Sequence, residues 1–221
     1  MPLLIDSRDP GNPVDILADP IIPDPIRKFG FVPDFRQCRF GDLVLFRSHK
    51  PRWVSRAITR AQVRAGFSEE HASWTHAAVF LFDKKVVKAL VFRGVKVSSL
   101  YDYVLNCDMK VRRARINSDA ALEMALRAST TLGSQYGVRF ATSLGWRLWG
   151  GLWNPVRTPI VFAGRKLICS KVFYDAYAET TGHVLTDFVQ DSCRGCISPA
   201  HLSATNVLEN IDIPWLRAHP P

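Results

Sequence analysis

The sequence predicts an α+β domain with an antiparallel sheet, and three observations carry the prediction. Apolar or alternating runs at 43–46, 76–82, 85–92, 94–99 and 109–115 read as strands bounded by turn residues. Stretches at 52–64, 117–132 and 169–181 place apolar residues at helical period. Several strands followed by helices, with no internal repeat, are the order expected of such a domain.

Residues 1–37 hold seven of the fourteen prolines, at 2, 10, 13, 20, 23, 25 and 33, with little periodicity between them. This predicts an extended arm, lying on the domain or linking it to something else, with the folded domain covering 38–221. Gly41 and Asp42 form a turn into the buried strand that follows. Over 52–64, Val54, Ile58 and Ala61 share one helix side, while Arg52, Arg56, Arg60 and Arg64 recur every fourth residue on another. Like charges at that spacing cost roughly 0.2–0.5 kcal/mol per pair. The stripe fits contact with an anionic surface through Arg56 and Arg60, and it fits a solvated face equally well.

Two strands at 76–82 and 85–92 are joined through Asp83 and Lys84, a turn without glycine. Asn117 or Ser118 caps a helix with Leu122, Ala125, Leu126, Ser129 and Leu132 inside and Gly133 at its end. An insertion at about 138–158 carries Trp146, Trp149 and Trp153 with arginines interleaved. These tryptophans suit a water–lipid boundary, and a large aromatic cluster over the core is the other reading.

Cys169 opens a helix in which Val172, Phe173, Ala176 and Tyr177 form an apolar stripe and Gly182 supplies the stop. A thiol at a helix N-terminus, with Arg165 and Lys166 upstream, is placed to form a stabilised thiolate. The same pattern fits a buried structural cysteine. A nucleophile needs a base, and His76, opening a strand, is the best candidate among six histidines.

A net charge of +9 favours an anionic partner: a lipid surface, an envelope polymer or nucleic acid, the last supported by charge alone. No run of eighteen apolar residues occurs, and the N-terminus lacks a secretory pattern. Synthesis in the cytoplasm, with delivery to an envelope by another route, is the expectation. Five cysteines, an odd number, argue against a disulfide framework. A single Cys193-x-x-Cys196 without a second pair is weak grounds for zinc, so no metal or cofactor is expected.

Taken in order, Gly41-Asp42 before a strand, Trp74-Thr75-His76 opening another, Gly133 with Tyr136-Gly137, Ile168-Cys169-Ser170 opening a helix, and Ser198-Pro199-Ala200-His201 resemble one family. The chain from about 40 to 205 resembles the circularly permuted NlpC-type papain-like cysteine hydrolases, the YiiX-type proteins and relatives of lecithin retinol acyltransferase. The resemblance implies a permuted papain-like fold, an antiparallel sheet packed against a nucleophile-bearing helix, with Cys169 as nucleophile and His76 as general base. In that family a polar residue twelve positions after the histidine orients the imidazole; here that position is Lys88. A protonated lysine cannot accept the imidazole N–H. The expectation is therefore a Cys-His dyad, with Asp102 a candidate third group or Lys88 contacting an anionic substrate. Tyr136 matches a family tyrosine that binds substrate or supports an oxyanion.

Such a pair performs acyl transfer through a thioester. The tryptophan segment and the arginine stripe favour membrane phospholipid as substrate. The peptide amides of the bacterial cell wall, and a non-catalytic basic binding module on the same fold, are the alternatives.

Overall fold

A computed structural model of the chain describes residues 22–90, 94–134, 169–185 and 197–218, with the backbone of 4–5 and 16–17. The strands are β1 (Leu4–Ile5), β2 (Ile16–Leu17), β3 (Phe31–Pro33), β4 (Leu43–Ser48), β5 (His76–Phe80), β6 (Lys85–Leu90), β7 (Gly94–Ser99), β8 (Cys107–Ala114), β9 (Leu208–Ile211) and β10 (Trp215–Ala218). The helices are α1 (Asp24–Phe29), α2 (Trp53–Arg64), α3 (Glu69–Ala72), α4 (Ser118–Thr130), α5 (Cys169–Thr181) and α6 (Pro199–Ala204).

The main sheet runs β1-β8-β4-β5-β6-β7, every pairing antiparallel, and β9 joins β8 on the edge that β1 also uses. Strand alternation divides the core in two. Leu43, Leu45, Ala77, Val79 and Val87 face the layer of α4 and α5. Val44, Phe46, Ala78, Phe80 and Val86 face a second layer with Ile26, Val32, Leu100 and Leu216. A small sheet, β2-β10-β3, closes that second layer.

The 37/38 boundary is not a structural one. Ile22, Ile26, Val32 and Phe35 are all buried, and β3 pairs with β10 near the other end of the chain. Proline suits this segment: Pro25 lies in the first turn of α1, and Pro33 ends β3. Pro25 and Pro33 thus sit in short elements folded into the domain, whose buried apolar side chains are each worth about 1.5–3 kcal/mol when fully buried.

Gly41 has φ +75°, and a Cβ there would stand 2.8 Å from the carbonyl oxygen of Ala121, so the turn into β4 is tied to α4 by a contact that only glycine permits. Between β5 and β6, Asp83 and Lys84 take φ +44° and +60°, and the Lys85 N–H returns to the Phe82 carbonyl at 2.8 Å. This is the left-handed pair of a tight hairpin turn, built without glycine. Asn117 caps α4 through its side-chain oxygen, 2.8 Å from the Ala120 N–H.

The inner face of α4 differs from the expected stripe. Met124, Ala125 and Ala128 are buried, whereas Leu122, Leu126 and Leu132 are exposed. Small residues face inward because α4 packs directly on α5, and alanine lets two helices approach.

Candidate active site

The stripe expected on the cysteine helix is present: Val172, Phe173, Ala176 and Tyr177 are buried along α5, with Cys169 buried at its first position. The Ser170 hydroxyl donates to the Ile197 carbonyl, fixing that first turn to the segment that leads into α6. Lys171 and Asp175 pair one turn apart at 2.5 Å. Gly182, at φ +68°, ends the helix, its N–H 2.9 Å from the Ala178 carbonyl.

The thiol of Cys169 is cradled by backbone. Burial, the largest influence, pushes its pKa up; N–H groups of Ala77, Ser170 and Cys169 itself act against that. The last two are helix first-turn donors with no intrahelical acceptor. The resting group is thus a neutral thiol. Desolvation outweighs the helix terminus that was expected to stabilise a thiolate.

Ala77 is the residue after His76, and its N–H leads to the second half of the site. The β5–β6 ladder pairs only Val79 with Val87 and Phe80 with Val86. Yet β5 stays paired to β4 as far as His76, and β6 to β7 as far as Leu90. The seam between β5 and β6 is therefore unladdered from Ala78 and Lys88 outward. The Ala77 N–H serves the sulfur there.

By alternation His76 lies on the opposite face of the sheet from Ala77. Its ring packs 5.8 Å from that of Phe46, centroid to centroid. The residue is part-exposed, but Nε2 is buried and has no hydrogen-bond partner among the described residues. Burial, then the charge of Lys88, lowers its pKa to about 3. No hydrogen bond joins the ring to the Cys169 thiol. Cys169 lies on the α5 side of the seam and His76 on the other, beside Phe46.

Lys88 is only 2% exposed, its ammonium 4.0 Å from the centroid of the Tyr103 ring. Burial lowers its pKa to about 8; Asp102 opposes that and Lys96 adds to it. Asp102, at the end of a short turn at Leu100–Asp102, bears on Lys88, and among the described residues no carboxylate bears on His76. The geometry brings His76 and Lys88 together on one side of the open seam, with the Cys169 thiol on the other at the Ala77 N–H, and among the described residues no acceptor orients the imidazole.

The other described histidines are engaged or remote. His49 bonds Asp108 at 2.9 Å, His71 bonds Ser203 at 3.0 Å, His201 closes a capping box with Ser198, and His183 is exposed past the end of α5. Arg56 and Arg60 are exposed on α2, as is Trp53 at 75%, which the sequence reading did not single out. Tyr136, Trp146, Trp149, Trp153, Cys193 and Cys196 lie outside the described residues. Among the described residues, no three of His, Cys, Asp and Glu gather into a metal-binding set, and no helix is long and apolar enough to cross a membrane.

No protein-family model matches the chain, and no curated protein matches it. A solved structure does: the metalloprotein YiiX of Escherichia coli O157:H7 superposes with a TM-score of 0.54 at 17% identity, over 81% of this chain and 99% of that one. The class is thereby defined as a mixed helix and antiparallel-sheet fold. The particular fold is YiiX-like.

Sequence reasoning missed the Ala77 N–H, since a backbone donor has no side-chain signature. It also missed Lys96, which the hairpin register sets directly opposite Lys88. Two lysines alternating in phase on consecutive predicted strands were a legible signal.

Proposed function

We propose that the protein is a cysteine hydrolase on a circularly permuted papain-like fold, acting on the acyl ester of an anionic membrane phospholipid. One observation carries this reading: the Cys169 thiol at the start of α5 takes the Ala77 N–H at an unladdered stretch next to His76, whose Nε2 is buried with no hydrogen-bond partner among the described residues.

The step this supports is acyl transfer. The Cys169 thiol gives its proton to the His76 imidazole as sulfur bonds to the acyl carbonyl carbon. The Ala77, Ser170 and Cys169 N–H groups, already directed at the sulfur, are suited to the developing oxyanion. The C–O bond breaks, the leaving alkoxide takes the proton from the imidazolium, and a thioester remains on Cys169. Water then attacks the thioester while His76 accepts its proton. Fatty acid leaves and the thiol is restored. A neutral thiol and neutral imidazole at rest require proton transfer to accompany attack.

The phospholipid preference rests on α2, where Arg56, Arg60 and the exposed Trp53 combine cations with an aromatic ring that suits a lipid boundary. The test is incubation of wild type and Cys169→Ala with anionic phospholipid vesicles and with purified cell wall, followed by mass spectrometry. Free fatty acid and lysophospholipid from wild type alone are expected. Peptide fragments of the wall alone would move the substrate to an amide, and no product from either would leave a binding module.

A further inference from the structure

Beyond the seam, the face that bears His76 ends in a cleft of about 590 Å3. Among the described residues its cations are Lys50, Arg52, Lys88 and Lys96, Ser48 and Ser98 add hydroxyls, and Asp102 is the one carboxylate that lines it. Three features point to an anion. Lys88 is 98% buried on this wall, and its ammonium has neither a hydrogen bond nor a carboxylate within ion-pair distance among the described residues. Lys88 and Lys96 are direct cross-strand partners, an arrangement that like charges disfavour. The third is α2, whose Ser55 lines the cleft: twelve residues long, it follows an Arg52 N-cap that gives no side-chain cap, and its first turn has no acidic residue. Its leading N–H groups and positive dipole end are left for something else.

We infer that this cleft is a binding site for a phosphate group, and that it seats the headgroup phosphate of the substrate while the acyl ester lies at the Cys169 seam. This rests on the proposed hydrolase reading for the substrate's identity, but not for the site. A phosphate bridging Lys88 and Lys96 converts a repulsive cross-strand pair into two charge-assisted contacts, and the first turn of α2 completes its coordination. The site has a further consequence. Lys88 is the charge that, after burial, holds the His76 imidazole down. An anion at Lys88 offsets that charge and makes His76 a stronger base when substrate is in place.

Binding is measured calorimetrically on Cys169→Ala, which cannot turn over, with inorganic phosphate, with short-chain phosphatidylglycerol and with a diacylglycerol of the same chains. The first two should bind and the third should not. Lys88→Met should weaken phosphate binding by roughly ten- to a hundredfold, the range for loss of a charged hydrogen bond. Lys88→Arg should retain most of it, and Arg64→Gln, on α2 but away from the cleft, should leave it unchanged. Phosphate binding without phosphatidylglycerol binding would support the site and assign it to a free anion. Equal binding in Lys88→Met, or equal losses in Lys88→Met and Arg64→Gln, would overturn it. Phosphate binding by a protein that hydrolyses nothing removes the hydrolase and keeps the site; hydrolysis indifferent to Lys88→Met and to headgroup charge does the reverse.

Discussion

The two edges of β6 are built differently. Toward β7 it is paired through six residues, from Lys85 with Ser99 to Leu90 with Gly94; toward β5 it is paired through two. The complete edge is structural, although it sets Lys88 against Lys96. At the incomplete edge an unladdered N–H meets a thiol, and a buried imidazole nitrogen has no partner among the described residues. A sheet interior normally satisfies its backbone, so missing rungs next to a thiol mark a candidate site that no single side chain would.

If the open seam is catalytic, its side chains should be far more sensitive in activity than in stability. Cys169→Ala and His76→Ala are each expected to lower hydrolysis by about a thousandfold or more, with the circular dichroism spectrum retained. Near-wild-type turnover by either variant would make the seam structural.

The pH dependence of folding sharpens the same contrast. His76 is held at about 3 in the fold against an ordinary value of about 6.5. Between those values the unfolded chain binds a proton that the folded chain refuses. The contribution from keeping the ring neutral is therefore whole above about 6.5 and lost as pH falls through that window. Its size is on the order of a few kcal/mol. Urea titrations from pH 7 to 4 should show His76→Gln losing less stability than wild type, and parallel losses would mean that the ring is not held neutral by its site.

Smaller effects test the supports. Ala128→Leu forces a larger side chain between α4 and α5 and should cost about 1–3 kcal/mol in denaturant melts, whereas Leu126→Gln, on the exposed side of α4, should stay within about 0.5 kcal/mol. Lys88→Met should raise the His76 pKa, read by NMR titration of the imidazole, because it removes the nearby cation while burial remains.

Much of this was legible in the sequence. The strand runs, the stripe from Val172 to Tyr177 and the cap at Asn117 follow from periodicity and short-range hydrogen bonding, and each holds in the structure. The inner face of α4 followed only at Ala125, because hydrophobicity favoured Leu122 and Leu126 while the helix packing buries Met124 and Ala128 beside Ala125. Proline density suggested an arm where Ile26, Val32 and Phe35 are core, since composition says nothing of tertiary burial. At the site, Cys169 and His76 stood out as residue types in context. The neutral state of the thiol did not, because desolvation depends on what packs around it.

In the proposed reaction Cys169 becomes acylated at the seam with His76 as its base. Wild type and His76→Ala, mixed with a short-chain anionic phospholipid and quenched in acid within a turnover, can be read by intact-protein mass spectrometry. A hydroxylamine-sensitive acyl adduct mapping to Cys169 in wild type, and strongly reduced in His76→Ala, is the predicted result. Fatty acid release with no adduct on Cys169, undiminished in Cys169→Ala, would contradict it.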